Sequence, residues 1–169
     1  MNNTFAEFST ENFPRVNIKL NENIKNEEDY DHFINSWLDL YQKRKYYYLI
    51  IDTTLIGMIN ISYAIKIGNF IKWLKKNVND LYDNQWLQYS IVLVRNNFIL
   101  QLFNIIFNIT KPIAPIFLIY DNSNINIIDN ECQALKKFKK IDKLDDIFFK
   151  ELNEKLKIKN INYKFINNI

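Results

Sequence analysis

Three short runs are apolar along both faces: residues 46–52 (YYYLIID), 88–95 (QYSIVLVR) and 116–120 (IFLIY). They restrict the fold more than any other feature. A strand with one wet face alternates apolar and polar side chains. A strand that is apolar throughout has to be covered on both sides, the habit of a parallel strand inside a sheet. Parallel neighbours need crossovers, and helical patterns lie between these runs. Asn26 offers an N-cap, followed by Glu27, Glu28 and Asp29 and then Tyr30, Phe33, Ile34, Trp37, Leu38 and Tyr41 on one helical face. A second helix opens at Asn60 or Ile61 and runs to about Lys76, with Ala64, Ile67, Gly68, Ile71 and Leu74 along its stripe. Residues 97–109 (NFILQLFNIIFNI) make a third, apolar nearly all round.

Upstream, Val16, Ile18 and Leu20 alternate with Arg15, Asn17 and Lys19, which predicts a half-exposed strand, and Phe5 and Phe8 suggest an earlier strand paired with it. Pro112 and Pro115 bracket the start of the last run, a position proline tolerates. The order β-α-β-α-β-α-β predicts an α/β fold over residues 1–122, a mostly parallel sheet of four to five strands with packed helices. Residues 121–126 read as a polar linker. Helices over 130–140 and 144–157 then form a C-terminal helical extension, 123–169, packed on the same domain.

A chain of 169 residues, 48% hydrophobic, is large enough to bury a core and too apolar for disorder. Its 26 Asn, 28 Ile and 19 Lys reflect the coding bias of an AT-rich genome, so single Asn and Lys residues carry little functional weight. The net charge of +3 is mild, and its basic clusters (Lys43–Lys45, Lys72 with Lys75 and Lys76, Lys136–Lys140) fall at or near helix ends, where lysine suits the dipole and solvent. No nucleic-acid partner is expected. One cysteine, Cys132, precludes an internal disulfide and fits a reducing compartment. The first residues lack the features of a secretory signal, and no run nears the roughly 20 apolar residues that span a bilayer. The expectation is a soluble, cytoplasmic protein.

The missing chemistry narrows function further. Gly57 and Gly68 are the only glycines, too few for a Walker loop or a dinucleotide fingerprint. His32 and Cys132 are single residues of their kind and build no zinc site of the usual sort. Asp52 and Asp121 end their strands at the carboxyl edge, where ligands gather in parallel sheets, but no third metal ligand accompanies them. The chain is read as non-enzymatic, with no catalytic residue, metal or cofactor.

Residues 49–62 (LIIDTTLIGMINIS), followed by an amphipathic helix ending IKWLKK, resemble the centre of a STAS domain, the fold of bacterial anti-anti-sigma factors and of the cytoplasmic tails of sulfate transporters. Such domains carry an apolar strand ending in Asp, a loop of about eight residues, and Asp-Ser-Ser-Gly or a variant at a helix start. Asp52 matches the strand-terminal Asp, Asn60 stands at the second Asp and Ser62 at the phosphorylated Ser. Asn60, Ile61 and Tyr63 depart from the pattern. The resemblance covers roughly residues 13 to 122. It implies a regulatory module that binds a protein partner through Asp52, Thr53, Thr54, Asn60, Ser62 and Tyr63, with Ser62 the phosphorylation site. A hydroxyl at a helix start also caps free N–H groups in its own right.

The third helix offers a second candidate surface. Phe98, Leu102, Phe103 and Ile106 form a face for a homodimer or for contact with a membrane surface, unless the C-terminal helices cover it. The alternative function is a small-molecule or lipid carrier with a pocket among Trp37, Trp73, Trp86 and the Tyr46–Tyr48 run.

Overall fold

The computed structural model describes residues 4–21, 23–57 and 60–169. Among them, six strands form one sheet in the order of the chain. They are β1 (Ala6–Ser9), β2 (Arg15–Leu20), β3 (Tyr47–Asp52), β4 (Leu87–Leu93), β5 (Ile116–Ile119) and β6 (Tyr163–Ile166). β2 through β5 run parallel, while β1 and β6 flank them antiparallel. The helices are α1 (Glu27–Gln42), α2 (Ile61–Tyr82), α3 (Asn97–Ile109), α4 (Ser123–Lys139) and α5 (Asp146–Ile158).

The sheet separates two apolar layers. Val16, Ile18, Leu49, Val92 and Leu118 face α1, α2 and α3. Tyr48, Ile50, Tyr89, Ile91, Phe117 and Ile119 face α4 and α5. β3, β4 and β5 are therefore apolar on both sides, as their composition requires. β2 keeps its alternation: Arg15, Asn17 and Lys19 lie on the second face, at the edge of the part that α4 covers, with Arg15 reaching Asp129 of α4.

Local signals place most element ends. The Asn26 side chain accepts from Asp29 N–H at 2.9 Å and starts α1. α2 runs six residues past the predicted Lys76, because Val78 continues its buried stripe, and it stops at Asp83 in the left-handed region. Arg44, left-handed just after α1, forms an ion pair with that Asp83. α2 and α3 approach closely at Gly68, where an added Cβ would sit 2.8 Å from Ile109 Cδ1.

The last 47 residues differ from expectation in two ways. α4 starts at Ser123 rather than near residue 130, so the expected linker is its first turn, with Asn124, Ile125 and Ile128 buried against the sheet. The extension is also not purely helical, since β6 adds an antiparallel edge strand to β5. Its Tyr163 and Phe165 rings pack on Phe117 at 5.9 and 5.0 Å.

A bulge in β4 ties this second layer down. Tyr47 pairs with Leu87 but Leu49 with Ser90, so β4 holds one extra residue. Gln88 thereby turns its side chain to the α4–α5 connection, where it donates to Asp142 O at 2.7 Å and accepts from Leu144 N at 2.9 Å.

Candidate functional site

The loop after β3 begins with two threonines in different roles. Asp52 Oδ1 accepts from Thr54 N–H at 2.9 Å, closing a turn at the strand end. Thr53 is buried, and its hydroxyl donates to Leu93 O at 2.6 Å on the neighbouring strand. Thr53 thus anchors the loop from inside and offers nothing to a partner. Ile56 is buried too, and its carbonyl accepts from Asn96 Nδ2 at 3.1 Å. The same Asn96 caps α3, its Oδ1 accepting from Phe98 N–H at 3.0 Å and Ile99 N–H at 3.4 Å. Met58 and Ile59, within the stretch that carries the STAS resemblance, lie outside the described residues.

At the start of α2, Asn60 is the N-cap. Its Oδ1 accepts from Ser62 N–H at 3.1 Å and from the Ser62 hydroxyl at 2.8 Å. Asn60 and Ser62 are both exposed. Tyr63 is half-buried and leans on α1, its ring 5.9 Å from that of Tyr30 and its hydroxyl 3.4 Å from Glu27. The Lys66 ammonium lies over both rings at 5.3 and 5.4 Å and pairs with Glu27, holding that carboxyl below its ordinary range.

Around this helix start, large apolar side chains face solvent. Leu55 is 52% exposed, Ile61 60%, Ile65 43% and Phe98 47%. Ile61 and Ile65 stand one turn apart on the same side of α2. Asn96 brings the first turn of α3, with Phe98, to the Leu55–Ile56 loop.

The third-helix face divides between surface and core. Of Phe98, Leu102, Phe103 and Ile106, only Phe98 is exposed. Ile106 is buried, and Leu102 and Phe103 are half-buried in the wall of a cavity. The C-terminal helices do not cover α3, because they occupy the opposite face of the sheet. Among the described residues, no helix is long and apolar enough to cross a membrane.

That cavity, about 130 Å³, lies between the sheet and the α1–α3 layer, and its wall is almost wholly apolar. Trp37, Ile71 and Leu102 contribute to it from the three helices, and Leu49 and Val92 from the sheet. A smaller recess beside it is lined by Asn23, Asn60 and Tyr63 and shares Phe5, Ile56, Ile67 and Leu102 with the cavity. Of the aromatic residues expected to line a pocket, only Trp37 reaches this cavity, while Tyr46, Tyr47 and Tyr48 line a separate small recess. Trp73 is exposed, Trp86 packs on Tyr46, and Tyr48 stacks on Tyr89 in the other layer.

The remaining candidates for chemistry are dispersed. Asp121 accepts from Ser123 N–H at 2.9 Å, which lowers its carboxyl pKa, so it closes the turn into α4 as Asp52 closes its own turn. Cys132 is buried under α4, its thiol pushed up to about 12 by desolvation, while His32 is exposed on α1 across the sheet. Among the described residues, no three His, Cys, Asp or Glu side chains gather as a metal site. Arg15 pairs with the buried Asp129 at 3.2 Å and bonds Asn17 at 3.1 Å, pinning α4 to β2.

No protein-family model, curated protein or solved structure matches the chain.

Asn96, Leu55, Ile61 and Ile65 are the residues of this region that sequence reasoning passed over. Asn96 had a readable signal, a capping residue directly before an apolar helix. The exposure of the other three depends on how the loop sits.

Proposed function

We propose that the protein is a non-enzymatic, STAS-like interaction module that docks a protein partner on the loop and helix start following β3. The observation that carries this reading is the group of solvent-facing Leu55, Ile61 and Ile65 around the capped Asn60–Ser62 turn. Exposed apolar residues edged by polar ones are typical of a protein-binding site. The strand-ending Asp52, the cap at Asn60 and an exposed Ser62 also lie where the STAS pattern has its regulatory residues.

The same geometry gives Ser62 a direction of control. Its hydroxyl donates to Asn60, and the neighbouring α1 terminus is acidic, with Glu27, Glu28 and Asp29. A phosphate on Ser62 removes that donated hydrogen bond and places a doubly charged, hydrated group on the apolar docking face, held there by the dipole at the start of α2. Phosphorylation therefore weakens docking, and the unmodified serine is the binding form.

Quantitative affinity capture with wild-type, Ser62→Asp and Tyr63→Ala baits tests this. The specific partner should fall at least tenfold with Ser62→Asp and drop measurably with Tyr63→Ala. Equal recovery with all three baits excludes this surface.

A further inference from the structure

We infer that the cavity behind this surface holds the tail of a short acyl chain, about six to eight carbons long, with its carbonyl head in the adjoining recess. This inference does not rest on the partner-docking reading, although both involve Asn60 and Tyr63.

Volume and polarity define the occupant. An apolar cavity of about 150 Å³ lined by Leu, Ile and Phe stays dry and admits one benzene, six carbons. The present cavity is about 130 Å³ and equally apolar, so it favours a hydrocarbon segment of that size over water. Trp37 gives its ring to the wall, and among the described residues its Nε1 and the Tyr47 hydroxyl are buried without a hydrogen-bond partner. The wall as a whole is almost devoid of polar surface and offers little to a polar head.

The neck and mouth specify the remainder. Ile56, Ile67 and Leu102 belong to both cavity and recess, and the recess adds the side chains of Asn23, Asn60 and Tyr63. Asn60 Oδ1 is committed to capping α2, so the group this side chain has left to offer a ligand is its amide N–H₂. Asn23 brings a second carboxamide. Two amide donors at the mouth of an apolar tunnel suit a carbonyl or carboxylate oxygen on a hydrocarbon tail. Longer tails exceed the volume of about 130 Å³.

Isothermal titration of the purified chain with straight-chain carboxylates of increasing length, each below its micelle concentration, tests the inference. Each added methylene should tighten binding about fourfold until the chain reaches six to eight carbons, and the gain should then stop. Ile67→Trp and Leu102→Trp fill the shared neck and should weaken octanoate at least tenfold. Overfilling can also disturb folding, so Ile67→Ala and Leu102→Ala supply the opposite test, since an enlarged cavity should move the best chain length upward. Three outcomes overturn the inference: no heat with any chain, affinity that keeps climbing to sixteen carbons, or folded tryptophan variants that bind octanoate like wild type.

Discussion

The Asn96 side chain joins two elements at once, donating from Nδ2 to Ile56 O at 3.1 Å while its Oδ1 caps the first turn of α3. The first half of the loop after β3 is thereby held at two points, by Thr53 against Leu93 O and by Ile56 against Asn96.

Substituting Asn96→Asp separates the two roles. Aspartate keeps the capping oxygen and loses the donor, so α3 stays intact while the loop is released. Amide exchange should rise over residues 53–57 and remain unchanged within α3. Asn96→Ala removes both functions and should also cost about 1 kcal/mol of global stability through the lost cap, measured by urea unfolding.

Gly68 marks the closest contact of α2 with α3. Alanine there gains up to about 1 kcal/mol of helix propensity, but its Cβ would meet Ile109 Cδ1 at 2.8 Å and Ile109 Cβ at 3.3 Å. Overpacking of this kind costs about 1–3 kcal/mol, so Gly68→Ala should be net destabilising by about 1 kcal/mol. In an Ile109→Val background the Cδ1 is gone, and the same change should become neutral or stabilising. Equal effects in both backgrounds would show that the two residues do not couple.

Gln88 serves the α4–α5 connection as Asn96 serves the loop. Gln88→Ala removes the partner of Asp142 O and of Leu144 N, and because Asp142 is exposed and Leu144 half-buried, water can reach the released groups and each bond is worth about 1 kcal/mol. Denaturant unfolding should show a loss of about 1–2 kcal/mol, and exchange should rise first at residues 140–145.

How much of this was legible in the sequence depends on whether the cause was local. β3, β4 and β5 were readable because both faces are apolar, and α1 because Asn26 and three acidic residues announce its start. β6 was not, since YKFI is four residues long and becomes a strand only by pairing with β5. The first two turns of α4 resembled a linker because their Asn124 and Asp129 are buried only with distant partners, Asn162 O and Arg15. In the candidate site, the Asn60 cap and the exposure of Ser62 follow from nearby residues. The buried position of Thr53, the inward turn of Leu102 and Phe103, and the cavity itself follow from three helices meeting one sheet.

Alkaline conditions probe the α4 layer. The Cys132 thiol is raised from an ordinary 9.0 to about 12, and buried Tyr89 is raised well above its ordinary 10.0, both chiefly by desolvation. The folded state keeps these groups protonated, whereas the unfolded chain ionises them. Their contribution is fully present below pH 9 and is lost as pH rises from about 9 toward 12. Stability measured by denaturant should decline across that window, and less steeply in Cys132→Ala. Iodoacetamide at pH 8 should label Cys132 only in denatured protein.

The most direct measurement places a photo-crosslinking phenylalanine at Ile61, and separately at Ile158, which is 85% exposed on α5 in the opposite layer, in cells of the source organism. The recognition face predicts one discrete adduct from position 61, lost with Ser62→Asp, and none of that mass from position 158. The same adduct from both positions, or an adduct at 61 indifferent to Ser62→Asp, would contradict it.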